Sequence, residues 1–130
     1  MRRLALCLVL LACAFADDKS IAGRYVGEWK SGSSGNGGAL HFALEGPETW
    51  KCELSFALDG GEVKTVMREV KVQDTKVEFT YDFELQGATL RSHLKGDWNG
   101  AGFRGTYATT VVADGSSIDG GTWTGVREKQ

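Results

Sequence analysis

Cysteine, proline and histidine are scarce in this chain, and neither sign of charge dominates it. The 130 residues include three cysteines, one proline and two histidines, with 15 basic against 17 acidic side chains. Because Cys7 and Cys13 lie in the apolar N-terminal segment, Cys52 has no partner for an internal disulfide in an exported domain. The slightly acidic balance and the lack of a basic patch disfavour nucleic acid and anionic membrane surfaces as partners.

Long apolar runs are also missing, apart from one near the N-terminus. Arg2 and Arg3 precede the apolar run 4–12, and a small-x-small sequence follows at 14–16. This order is typical of a secretory signal peptide, and the run is too short to span a bilayer as a permanent helix. We therefore expect a signal peptide at residues 1–16, a single β-barrel domain at residues 17–130, no membrane span, and a secreted or periplasmic protein.

The same N-terminal segment carries a second processing signal. Residues 10–13, LLAC, resemble a bacterial lipobox, in which the cysteine is lipidated and becomes the first residue of the mature protein. Leu11 fits that pattern poorly. A lipid anchor at Cys13 is therefore the alternative to simple cleavage after Ala16.

Apolar and polar residues alternate almost throughout residues 23–127. In KVEFTYDFEL at 76–85, for example, Val77 and Phe79 begin an apolar face that continues to the end of the segment. A period of two predicts strands, and the change of parity within residues 62–73 predicts a β-bulge. Because the connections are short, we expect an all-β fold, an eight-stranded antiparallel up-and-down meander barrel, with a two-sheet sandwich as the alternative.

The hairpin at residues 86–87 has a register that the sequence itself supports. A two-residue loop places Asp82 opposite Arg91 on the outer face and Phe83 opposite Leu90 on the inner face. Opposite charges on one side and apolar pairs on the other are expected of a correct register.

The stretch 94–112 combines glycines with aromatic residues and allows two registers. A tight turn at its Asn-Gly pair sets Gly96 opposite Phe103, whereas a four-residue loop pairs Asp97 with Arg104. In either register the glycines permit the strong coiling that a small barrel needs to close.

The two longest loops are predicted at the same end of the meander. Connections alternate between the two ends of an up-and-down sheet, so loops 31–38 and 113–120 fall together, while the opposite end has only tight turns. This asymmetry predicts one open mouth and one closed base.

Three short motifs carry a resemblance to a known group of barrels. Gly27-Glu28-Trp29 is similar to the Gly-x-Trp that opens many lipocalins, and GTY at 105–107 and GTW at 121–123 look like strands of the same superfamily. The chain thus resembles the calycin-like barrels, meaning lipocalins, fatty-acid-binding proteins and avidins, although it lacks the lipocalin disulfide pair and C-terminal helix. The resemblance implies a barrel whose interior holds a small, largely apolar ligand.

The inward face supplies the candidate ligand-binding residues, which are mostly aromatic. They are Tyr25, Trp29, Trp50, Phe79, Tyr81, Ser92, Tyr107 and Trp123. Tyr81, Ser92 and Tyr107 come from adjacent predicted strands and form a polar row in an apolar surrounding, a composition that orients small molecules. The competing interpretation is a barrel filled by its own side chains, since an eight-stranded barrel is just narrow enough for that.

No catalytic constellation is present in the sequence, so we expect no enzyme activity, no catalytic residues and no cofactor. Cys52 is inward and fits a small buried hydrophobe. His41 and His93 face outward on strands that are not adjacent, which argues against a metal site.

Two other functions stay open at this stage. In the first, the protein is a protein-interaction module, such as an inhibitor of a secreted enzyme, and it contacts its partner through loops 31–38 and 113–120. In the second, the aromatic face turns toward lipid, as in a small outer-membrane barrel.

Overall fold

The alternating pattern gives nine antiparallel strands in the computed structural model, which describes residues 21–128. The strands are β1 (Gly23–Ser31), β2 (Gly37–Glu45), β3 (Lys51–Leu58), β4 (Gly61–Lys64), β5 (Val66–Gln73), β6 (Lys76–Leu85), β7 (Ala88–Trp98), β8 (Gly102–Val111) and β9 (Ser117–Arg127). They form one sheet in the order β4-β3-β2-β1-β9-β8-β7-β6-β5. The predicted all-β, up-and-down antiparallel fold is confirmed as a single sheet curled into a half-barrel, which is compatible with a calycin-like barrel.

The predicted signal peptide and Cys13 lie outside the described residues. Within residues 21–128 the structure contains no helix with the length and apolar character needed to cross a membrane.

The strand count exceeds the predicted eight because the segment 61–73 divides at Thr65. β4 pairs with β3, whereas β5 pairs with β6. At the division the Thr65 hydroxyl donates a hydrogen bond of 2.6 Å to the Leu54 carbonyl, so a side chain replaces a backbone bond of the ladder. The two edge strands are therefore consecutive in the chain. The predicted bulge is confirmed, since the register shifts between Met67 and Glu69.

The predicted register of the hairpin at 86–87 is confirmed. Asp82 pairs with Arg91 and Phe83 pairs with Leu90. The Arg91 guanidinium donates to both carboxylate oxygens of Asp82, from Nε at 2.6 Å and from Nη2 at 3.0 Å. This geometry is bidentate and fixes the two strands in register on their outer face.

The next hairpin adopts the four-residue loop, and the tight Asn-Gly turn is wrong. Asp97 pairs with Arg104, and Gly96 pairs with Gly105 rather than with Phe103. The Asn99 side chain explains the longer turn, because its Oδ1 accepts hydrogen bonds from the backbone N–H groups of the second and third residues after it, at 2.9 and 3.0 Å.

Glycine in this hairpin makes room for an aromatic ring from another strand. A Cβ added at Gly96 would lie 2.5 Å from a ring carbon of Trp123. The Trp123 indole N–H donates to the carbonyls of Lys95 and Thr106, both at 3.1 Å. The bare backbone thus seats the largest buried side chain of the interior.

The apolar face of the sheet is the inner face, and aromatic rings close its base. Phe79 and Trp123 are 0% and 1% exposed. At the end opposite the long loops, the Tyr25 ring lies 5.1 Å from the Phe103 ring. The Arg127 guanidinium lies 5.4 Å from the centroids of the Tyr25 and Trp98 rings. This aromatic cluster fills the base, and a separate cavity lies toward the other end.

Candidate ligand-binding site

A cavity of about 100 Å³ lies inside the half-barrel, toward the end with the long connections. Its walls are mainly aliphatic and aromatic and include Leu40, Phe56 and Leu94. Ile118, at the start of β9, lines the rim and is 49% exposed. The cavity therefore opens at the end of the half-barrel where the sequence predicts the mouth.

Five of the eight predicted ligand-binding residues line this cavity. They are Trp29, Tyr81, Ser92, Tyr107 and Trp123. The structure places Tyr25 in the aromatic base, Phe79 in the solid core and Trp50 in a groove outside the base. The alternation predicts which face of the sheet a side chain lies on. It does not predict how far along the axis of the half-barrel the side chain lies, and this position distinguishes these three residues from the five that line the cavity.

Three aromatic rings, centred on Trp29, form one corner of the cavity. The Trp29 indole N–H donates to the Ala57 carbonyl at 2.9 Å, which holds the ring in place. The Trp29 ring meets the rings of Phe56 and Tyr107 edge to face, with centroids 6.1 and 6.2 Å apart. Aromatic surfaces fixed in this way present their π faces and edges in a defined direction.

Deep in the cavity wall, the Ser92 hydroxyl is paired with that of Thr109. The Ser92 Oγ lies 2.6 Å from Thr109 Oγ1. Burial raises the pKa of Tyr81 above its ordinary value, and Ser92 opposes that rise. The phenol therefore stays neutral at physiological pH and remains able to donate.

At the rim, Tyr107 belongs to a separate polar group centred on Asp119. The Tyr107 hydroxyl donates to Asp119 Oδ2 at 2.8 Å, and the Ser31 hydroxyl donates to Oδ1 at 2.7 Å. Ser33 Oγ adds a longer bond of 3.4 Å to Oδ1. Burial, followed by the hydrogen bond to the carboxylate, raises the pKa of Tyr107. The predicted polar row is thus two groups, one deep and one at the rim.

Asp119 and Ser31 were missed by the sequence analysis, which assigned both to loops. β9 begins at Ser117, so Asp119 has the parity of Trp123 and shares its inward face. Ser31 ends β1 with the parity of Trp29 and is 4% exposed. Both residues could have been found by continuing the alternation of β1 and β9 into the adjacent Gly/Ser-rich sequence.

The side chains of Cys52, His41 and His93 do not line the cavity. Cys52 is buried, and burial raises the pKa of its thiol to about 12. His93 Nε2 lies 3.0 Å from Glu78 Oε1 on the outer face of β7, and His41 is exposed on β2. Among residues 21–128 no three of the His, Cys, Asp and Glu side chains converge as metal ligands.

Comparison of the chain with protein-family models, with curated proteins and with solved structures gives no match.

Proposed function

We propose that this protein is an exported, lipocalin-like binding protein that holds a small, largely apolar ligand in the mouth cavity. The observation that supports it best is the cavity itself, which is walled by apolar side chains and has polar groups at only two places. Apolar walls favour the transfer of a ligand from water, and a few fixed polar groups give it one orientation.

The volume limits the size of the ligand. About 100 Å³ is less than the roughly 300–1,000 Å³ of pockets that hold drug-sized molecules. It is nearer to the ~150 Å³ apolar cavity that accommodates one benzene ring. The ligand therefore has a single ring or a short chain inside the cavity, and any larger part extends through the mouth.

A titration with single-ring compounds tests the proposal. Toluene and benzyl alcohol are added to the wild-type protein, and binding is followed by the fluorescence of Trp29 and Trp123, both of which line the cavity. Leu58, half-buried at the mouth, is replaced by Trp to fill the opening. Val72→Trp is the matched control, because Val72 is also half-buried but lies beside the groove outside the base.

We expect saturable binding to the wild type and to Val72→Trp, and its loss in Leu58→Trp. Binding that survives in a folded Leu58→Trp variant would place the ligand elsewhere. No saturable binding of either compound would reject the proposal.

A second function is favoured by the exposed apolar residues at the connection 112–116. Val112, the first residue of that connection, is 42% exposed, and Ile118, which follows it at the start of β9, is 49% exposed. Exposed apolar side chains on a loop suit contact with another protein. A screen for inhibition of secreted hydrolases, with a Val112→Ser and Ile118→Ser double variant as control, tests this function. Inhibition that the double variant retains would argue against these residues as the contact.

A further inference from the structure

We propose that the ligand of the mouth cavity is a cation, namely an amine attached to a single ring, whose ammonium group binds Asp119. This inference rests on the proposed function and names the class of ligand. Three properties of the cavity support it: its charge, its free acceptor position and its aromatic walls.

Asp119 brings the only formal charge to the described lining of the cavity. The other lining side chains are aliphatic, aromatic or hydroxyl-bearing. The ion pairs found among residues 21–128 join other side chains, and none of them includes Asp119. Ser31, Ser33 and Tyr107 donate neutral hydrogen bonds, so they fix the carboxylate without cancelling its charge.

The carboxylate also keeps an acceptor position for a ligand. A carboxylate offers about four lone-pair positions, two on each oxygen. Ser31 and Ser33 both donate to Oδ1, while Tyr107 alone donates to Oδ2. One position on Oδ2 therefore remains, on an atom whose residue lines the cavity. An ammonium group bound there makes a charge-assisted hydrogen bond.

The aromatic walls of the cavity also favour a positively charged ligand. Trp29, Tyr81, Tyr107 and Trp123 all line the cavity. The faces of such rings attract cations, and the attraction is larger when water is excluded. An anionic ligand would meet the negative charge of the Asp119 carboxylate, so small carboxylic acids are disfavoured.

The test compares three probes that share one ring: benzylamine, benzyl alcohol and benzoate. A primary amine is protonated at pH 7, as the lysine side chain is. Dissociation constants are measured by isothermal titration calorimetry for the full chain and for Asp119→Asn, which keeps the shape of the side chain and removes its charge. Asp114→Asn is the matched control, because it removes one charge from the neighbouring connection at an exposed carboxylate that bonds Ser116 instead.

We expect the wild type to bind benzylamine about tenfold more tightly than benzyl alcohol, and benzoate most weakly. Asp119→Asn should lose this preference while its affinity for benzyl alcohol changes less than about twofold. Asp114→Asn should keep the preference. Equal affinities for benzylamine and benzyl alcohol, or an unchanged preference in Asp119→Asn, would overturn the amine assignment while leaving the apolar cavity in place. Failure of all three probes to bind would overturn the proposed function together with this inference.

Discussion

Trp123 rests on the backbone of Gly96, close enough that one added carbon would collide with its ring. The indole also donates to carbonyls of β7 and β8, so it joins the two strands on which it lies. Because the same ring lines the mouth cavity, the hairpin that seats it also determines the shape of the cavity floor.

Gly96→Ala should therefore destabilise the protein by about 1–3 kcal/mol, the usual cost of overpacking a well-packed core. The new methyl group would displace the Trp123 ring and lengthen its hydrogen bonds. Urea unfolding followed by tryptophan fluorescence measures the loss. Gly61→Ala is the control, because a Cβ at Gly61 meets nothing closer than 3.9 Å. Equal stability of the two variants would show that the Trp123 ring can move to make room for a methyl group at Gly96.

Ser92→Ala should cost more stability than Thr109→Val. Removing the Ser92 hydroxyl takes the partner from the buried Thr109 hydroxyl, and it also removes the group that opposes the rise in the pKa of Tyr81. Thr109→Val leaves that influence of Ser92 on Tyr81 in place. We expect losses of about 2–3 kcal/mol and about 1 kcal/mol respectively, measured by urea unfolding. A larger loss of stability in Thr109→Val than in Ser92→Ala would mean that the Thr109 hydroxyl contributes more to stability than the Ser92 hydroxyl.

Cys52 should react very slowly with iodoacetamide in the folded protein. Burial raises the pKa of its thiol from the ordinary 9.0 to about 12, so almost no thiolate is present at pH 8. Since the folded-state pKa is the higher one, this thiol contributes stability that is complete below pH 9 and is lost as the pH rises toward 12.

The alkylation rate is measured in a chain with Cys7→Ser and Cys13→Ser, with and without urea. A Ser34→Cys variant that also carries Cys52→Ala supplies an exposed thiol for comparison, because Ser34 is exposed. Comparable rates for the two thiols in the folded state would contradict the burial of Cys52.

The pair of Asp82 and Arg91 should give stability that depends on pH. The hydrogen bond from Arg91 lowers the pKa of Asp82 below its ordinary value of 3.8. The pair therefore stabilises the fold above that pH, and the contribution is lost as the pH falls through the lower folded-state value. The difference in thermal midpoint between wild type and Asp82→Asn should be clear at pH 7 and should shrink as the pH falls below 3.8.

Arg91→Gln provides the complementary test of this pair. It should flatten the pH profile as Asp82→Asn does. Should only Asp82→Asn change the profile, the relevant partner would be Arg68, whose Nε lies 3.5 Å from Asp82 Oδ2.

Local patterns predicted the sheet and much of its register. The hairpin of Asp82 and Arg91 was predictable because charge pairing and turn length agree within twenty residues of sequence. The division of segment 61–73 at Thr65 was not predictable, because β4 pairs with β3 while β5 pairs with β6, and the local sequence does not show that the two parts have different partners. The contact of Trp123 with Gly96 is also non-local, and alternation alone carries no information about it.

The sequence predicted the kinds of side chain that line the candidate site, but it predicted only some of their positions. Trp29 and Tyr107 were identified from the parity of their strands, and both line the cavity. Asp119 was missed because the Gly/Ser-rich sequence before it has turn chemistry, which concealed the start of β9. Tyr25 has the correct parity but lies at the wrong depth, because parity says nothing about position along a strand.

The pairing of β1 with β9 has a consequence for when the proposed binding site can form. These are the first and last strands of the described residues, so their contacts join residues that are about a hundred positions apart in the sequence, whereas the other pairings join consecutive strands. The Ser31–Asp119 hydrogen bond crosses the same seam. A chain that is still being synthesised therefore lacks both the seam and the carboxylate of the cavity rim until its final strand emerges. The proposed amine site depends on that pairing, because Asp119 lies on β9 and Ser31, which donates to it, ends β1.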